Sequence, residues 1–171
     1  LPADMLQSLN VKKIPLSVLF RGEGRTDSVD EGIKDFYDGL RAGEVATTSA
    51  VNPDGWASVM EPALQAGQDA LVLAFSSGLS TTYQSAVIAA SELMEKYPDR
   101  KIYVVDTLCA SLGQGLLVWH ACQKRDAGLE LEALRDWVEA HKLNLCHWFT
   151  VDDLMFLKRG GRVSGAAAVM G

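Results

Sequence analysis

The sequence is poor in cysteine, has no long apolar run and carries no surplus of positive charge. Three cysteines, Cys109, Cys122 and Cys146, stand among 171 residues. Their number is odd and no two are spaced C-x-x-C, which argues against a disulfide framework and against a zinc ribbon. Buried free thiols in a reducing cytoplasm are the simpler reading. The apolar runs are short, as at residues 70–75, and none approaches the ~20 residues that a membrane-spanning helix needs. Lys and Arg number 16 against 22 Asp and Glu, a net charge of −6. A chain of that sign is a poor partner for nucleic acid or for an anionic membrane. The phosphate-cradling patterns G-x-x-x-x-G-K-[ST] and G-x-G-x-x-G are both missing.

What is present is a globular composition. Hydrophobic residues make up 48% and charged residues 22%. That suffices for one good core, or for one domain and part of a second, and it excludes a disordered chain. Short apolar runs alternate with helical periods. Residues 14–20, 69–75, 101–105 and 145–151 read as strands, and 69–75, apolar on both faces, fits a parallel sheet. Asp30 precedes the helical spacing of Ile33, Phe36, Tyr37 and Leu40. Asn52-Pro53 joins a capping side chain to a proline at the first helical position, in a helix that should end near Gly67. Ser80 precedes a stripe of Tyr83, Val87, Ala90, Met94 and Tyr97, stopped by Pro98. On the next helix Leu112, Leu116 and Trp119 should face inward, and a further helix carries Leu131, Leu134, Val138 and His141. Asp152 should cap a short turn before Gly160-Gly161.

This alternation predicts an α/β fold with a mostly parallel sheet flanked by helices. A first domain is expected over residues 1–143 and the start of a second α/β domain over 144–171. The opening Leu1-Pro2 and the apolar run at 165–171 suggest a fragment of a longer protein.

Ligands of open α/β sheets sit beyond the carboxyl ends of the strands. Two hydroxyl-rich segments are expected in loops that feed helices: Thr47-Thr48-Ser49, and Ser76-Ser77-Gly78-Leu79-Ser80-Thr81-Thr82. Helix N-termini offer free N–H donors and partial positive charge, so hydroxyls beside them form an anion cradle. Neither segment holds Lys or Arg, which suits a singly charged carboxylate better than a polyphosphate. The same residues also cap helices and shape turns without binding anything. A serine nucleophile fits less well. The run Gly78-Leu79-Ser80-Thr81-Thr82 ends in threonine where a nucleophile elbow needs glycine. His120, His141 and His147 fall in two helical periods and a strand, with no reason to meet Ser80. Asp152-Asp153 has no His or Cys at ligand spacing, so no metal is expected. Lys158-Arg159-Gly160-Gly161-Arg162 is either a solvated helix end or a contact for an anion or partner.

Taken together these segments resemble the DegV family of bacterial fatty-acid-binding proteins. The resemblance is carried by Ser76-Ser77-Gly78-Leu79-Ser80 with Tyr83-Gln84-Ser85-Ala86, and by Ile14-Pro15-Leu16-Ser17-Val18, Asp35-Phe36-Tyr37 and Thr47-Thr48-Ser49. It continues through Val105-Asp106-Thr107, Ala110-Ser111-Leu112-Gly113, Val151-Asp152-Asp153-Leu154 and Leu157-Lys158-Arg159-Gly160-Gly161-Arg162. The match implies two α/β domains with a long-chain fatty acid between them and no cofactor. The carboxylate would be held by Thr48 and Ser80, with Ser77 and Ser49 as second choices. Arg159 and Arg162 would shield the head group or dock a partner. That partner would be a separate fatty-acid kinase, which phosphorylates the bound carboxylate, and transient contact with a membrane surface is compatible with such a carrier. The carrier itself would do no chemistry. Three departures stand out. Thr48-Ser49 leads into Ala50-Val51-Asn52-Pro53 where the family has Thr-Ser-Gln-Pro, Thr81 replaces a glycine, and the family's first strand lies outside this chain. The alternative is an enzyme on a similar scaffold, a kinase-related phosphotransferase or a serine esterase, which would need a base, a nucleotide site or a metal.

Overall fold

The structure, a computed structural model, describes residues 1–26, 32–148, 150–151 and 153–164. Among these residues the elements run α1 (Ala3–Ser8), β1 (Ser17–Phe20), β2 (Glu23–Thr26), α2 (Ile33–Arg41), β3 (Ala46–Ser49), α3 (Pro53–Gln65), β4 (Ala70–Ala74), α4 (Thr82–Lys96), β5 (Ile102–Asp106), α5 (Ser111–Asp126), α6 (Leu131–His141) and α7 (Leu154–Arg159). A 3-10 turn, Lys142–Asn144, follows α6.

Strands β4 and β5 pair in parallel, Ala70 opposite Ile102 through Ala74 opposite Asp106. Side chains alternate across a strand, and here both sides are apolar. Val72 and Ala74 pack with Met60 and Leu64 of α3 and with Ala86, Ala89, Ala90 and Leu93 of α4. Leu71, Leu73 and Val105 pack on the other side with Leu117 and Ala121 of α5 and with Leu134 and Val138 of α6. The result is a helix–sheet–helix sandwich, as the alternation of elements implied.

The fold is mixed because a second sheet, ordered β2-β1-β3, is antiparallel. The strict strand–helix alternation did not give it. Its hairpin turns on Arg21 and Gly22, with φ of 53° and 79°, the paired positive values of a two-residue turn that follows strand twist. Phe20, 1% exposed, anchors this sheet edge-on to Phe36, ring centroids 4.9 Å apart. Gly39 allows the approach, since a Cβ there would fall 2.7 Å from the Phe20 ring.

Several sequence expectations are corrected. The buried stripe of α4 is Thr82, Ala86, Ala89, Ala90 and Leu93; Tyr83 and Tyr97 pack against the same core as expected, while Val87 and Met94 are exposed. Small side chains on that stripe let the helix backbone approach the sheet. On α5 the inward residues are Leu117 and Ala121, while Leu112 (79% exposed), Leu116 and Trp119 face outward. On α2, Ile33 and Tyr37 are exposed as well. Residues 145–151 form no strand among the described residues, which offer them no ladder to join. Cys109 and Cys122 are buried free thiols, but Cys146 is exposed. Asp30, Asp152 and residues 165–171 lie outside the described residues. Asp153 caps α7, accepting from the Met155 amide at 2.8 Å. The Asn52 cap is as expected, accepting from Gly55 at 2.8 Å with Pro53 following. No helix among the described residues is long and apolar enough to cross a membrane.

Candidate functional site

The loop that leaves β4 turns on itself before entering α4. The amides of Leu79 and Ser80 both donate to the Ser76 carbonyl, at 3.1 and 3.2 Å, and the Gly78 amide donates to Ser76 Oγ at 3.2 Å. Ser76 is buried, so its hydroxyl serves the turn. Ser80 is half-buried at the mouth of α4. Its Oγ accepts the Thr82 amide at 3.2 Å and lies 2.8 Å from Thr82 Oγ1. Ser80 therefore satisfies an orphan N–H of the first turn, and its hydroxyl remains beside the positive end of a 15-residue helix.

Asp106, at the carboxyl end of β5, ties this loop to the next. Its Oδ1 accepts the Ser77 and Leu108 amides, each at 3.1 Å. The bond to Leu108 helps hold that residue at a φ of 54°, a left-handed conformation that leucine rarely adopts. Lys142 Nζ donates to the Asp106 carbonyl at 2.8 Å. Burial pushes the Asp106 carboxyl upward, but the Ser77 side chain, the Leu108 and Ser77 amides and the Lys142 charge outweigh it and hold it below the usual carboxylate range. The unfolded chain thus takes up this proton first as pH falls. The stability is present above the ordinary aspartate value of about 4 and is lost as pH drops through the depressed folded value. Asp106→Asn keeps the acceptor oxygen and cannot be protonated. Denaturant midpoints measured against pH should fall less steeply below about pH 4 in the variant than in the wild type; parallel curves would assign the acid transition to other carboxylates.

The β3 hydroxyls approach differently. Thr47, Thr48 and Ser49 lie in a strand, not in a loop: Thr48 is opposite Val18 and Ser49 opposite Ser17. Adjacent threonines suit a pleated strand, a signal that the loop reading overlooked. All three are exposed. Among the described residues no hydrogen bond joins them to the Ser76–Ser80 turn. The connection runs through α3, which follows β3 and whose Trp56 indole N–H donates to the Thr82 carbonyl at 3.1 Å. The basic segment is divided. Arg162 reaches back to the turn, its Nε donating to the Leu79 carbonyl at 3.1 Å. Arg159 stays on its own helix, over the Phe156 ring at 4.6 Å.

Ser77, Ser80 and Arg162 thus meet at one turn, with Thr48 and Ser49 on the neighbouring sheet. Sequence reasoning gave no role to Trp56 or Lys142, Thr82 entered only as one hydroxyl of the second segment, and Asp106 only as part of a motif. An acidic residue at the carboxyl end of a parallel strand was the available signal for Asp106. Among the described residues no imidazole hydrogen-bonds Ser80. His147 instead contacts Cys109, Nε2 to Sγ 3.2 Å, and lies against Gly113, where a Cβ would collide with its ring. Burial pushes the Cys109 thiol up, so this pair is a neutral thiol against an imidazole, not an activated nucleophile. Among the described residues no group of three or more His, Cys, Asp or Glu side chains could hold a metal ion.

A family model described as "Uncharacterised protein, DegV family" matches residues 1–171. A DegV domain-containing protein of Clostridium perfringens is 44% identical over 173 residues, covering 100% of this chain and 60% of its own length. Among solved structures, a DegV family protein from Thermus thermophilus described for its fatty acid binding is 37% identical with a TM-score of 0.85, covering 100% of this chain and 60% of that one. A stearic acid-binding protein from Eubacterium ventriosum is 28% identical, also with a TM-score of 0.85, covering 99% and 60%. The chain spans about three fifths of the length of these relatives. The family model matches from the first residue to the last, a relative is 44% identical over the whole chain, and the chain belongs to the DegV family.

Proposed function

We propose that this chain binds a long-chain fatty acid by its carboxylate and presents it to a separate fatty-acid kinase, without itself catalysing a reaction. The observation that carries the proposal is the Ser80 hydroxyl, half-buried at the first turn of α4 and, among the described residues, without a basic or acidic side-chain partner. Thr48 and Ser80 are the head-group ligands, with Ser77 and Ser49 beside them. Arg162, bonded to the Leu79 carbonyl, shields the head group or meets the kinase, and Arg159 acts at the same surface. Residues 1–143 form the head-group domain and 144–171 begin a second domain, with the acyl tail between the two. The exposed Trp148, Leu143 and Phe156 suit an apolar surface of that kind. The carrier works in the cytoplasm and meets membranes only in passing. Fatty acid binding by the Thermus thermophilus and Eubacterium ventriosum relatives supports the ligand class.

The test is to denature the protein purified from cells, extract it with organic solvent and analyse the extract by mass spectrometry. One fatty acid per chain is expected. An empty extract, together with turnover of ATP or of an acyl ester, would replace the carrier with an enzyme.

A further inference from the structure

We propose that Thr82 is a positioning residue that fixes Ser80 as a hydrogen-bond donor, so that the site selects head groups that accept. The inference rests on the carboxylate-binding reading above. Ser80 Oγ and Thr82 Oγ1 are 2.8 Å apart, a distance at which either could donate. Burial decides between them. Thr82 is 3% exposed, and among the described residues Ser80 Oγ is the hydrogen-bond partner of its hydroxyl. A hydroxyl has one proton to give and two lone pairs with which to accept. If Ser80 donated to Thr82, the Thr82 proton would be buried without an acceptor, an arrangement that folded proteins avoid. In the reverse arrangement every group is satisfied. Thr82 gives both its hydroxyl proton and its amide proton to Ser80, which fills the Ser80 lone pairs and leaves the Ser80 proton for a ligand.

Ser80 is thereby a donor only, and a carboxylate is an acceptor only. The chain of two hydroxyls also polarises the Ser80 O–H and strengthens the bond it makes. Trp56 secures the arrangement from the neighbouring helix. Its indole N–H donates to the Thr82 carbonyl at 3.1 Å and so fixes the residue that orients Ser80.

The test compares binding of a saturated fatty acid with that of the primary alcohol of equal chain length. Calorimetry is run on the intact chain as wild type, Thr82→Val and Thr82→Ser. Valine keeps the size and branching of threonine and removes only the hydroxyl; serine restores it. Thr82→Val should weaken the acid by about fivefold and leave the alcohol within about twofold, so that the acid-to-alcohol preference collapses. Thr82→Ser should bring the preference back. Acid and alcohol weakening together, or Thr82→Ser behaving like Thr82→Val, would show that Thr82 only packs and would overturn the proposal. Unchanged acid affinity in Thr82→Val would overturn it as well. A wild type that binds no fatty acid would remove the carboxylate reading and the proposal with it, and it would do so before any variant is compared.

Discussion

Shortening the bound fatty acid by two methylenes should weaken binding about 15-fold, since each buried methylene contributes about 0.8 kcal/mol. The prediction follows from how little the head group can supply. In the proposed site the contacts are a few hydroxyls at one turn and one strand, in segments without Lys or Arg, and Arg162 Nε beside them is engaged by the Leu79 carbonyl. Most of the affinity must then come from removing the tail from water, a contribution proportional to the area removed. Isothermal titration with a homologous series of saturated acids measures the slope directly. A steady loss of affinity with each shortening is expected. Equal affinities across the series would mean that the tail stays in water and that the protein holds only the carboxylate.

The second large effect concerns the carboxylate itself. Ser80→Ala and Thr48→Val should each reduce fatty-acid affinity between about tenfold and a hundredfold, as a hydrogen bond to a charged group contributes about 1.5–3 kcal/mol. The two losses should not add, because in the proposed site both hydroxyls serve one carboxylate and the survivor compensates in part. Thermal midpoints distinguish the variants further. Ser80 Oγ also accepts the Thr82 amide, so Ser80→Ala leaves that first-turn amide without its side-chain acceptor and should destabilise the fold by about 1 kcal/mol. Thr48 is exposed on a strand, and valine is at least as good a strand former, so Thr48→Val should leave the midpoint near the wild-type value. Binding equal to wild type in both variants would remove these residues from the site.

The parallel pair and its covering helices were legible because β4 and β5 are apolar on both faces, the helix before β4 has a recognisable start at Asn52-Pro53 and the helix between them a recognisable stop at Pro98. The antiparallel sheet was not. Residues 23–26, Glu-Gly-Arg-Thr, have neither alternation nor apolar content, and they become a strand only because β1 provides a ladder. The facing of α4 and α5 was misread because large apolar residues were assumed to point inward. The sheet instead receives alanines on α4, and the large side chains of α5 remain outside. In the site, Ser77 and Ser80 were legible from their place between a strand and a helix. Trp56 reaches Thr82 across 26 positions of sequence and Asp106 reaches Ser77 across 29, and spacing along the chain holds no record of such contacts. Without an alignment, a buried threonine at a helix start reads like any other first-turn residue.

The indole of Trp56 gives the turn proposed to hold the head group a built-in optical probe. The ring is half-buried and its N–H is bonded to the carbonyl of the first residue of α4. Trp119, Trp137 and Trp148, the other three tryptophans, are on α5, on α6 and beyond α6. A chain in which those three are phenylalanine would emit from Trp56 alone. Any ligand that moves the start of α4 would then change the wavelength and lifetime of that emission, so occupancy could be followed in real time with unlabelled lipid.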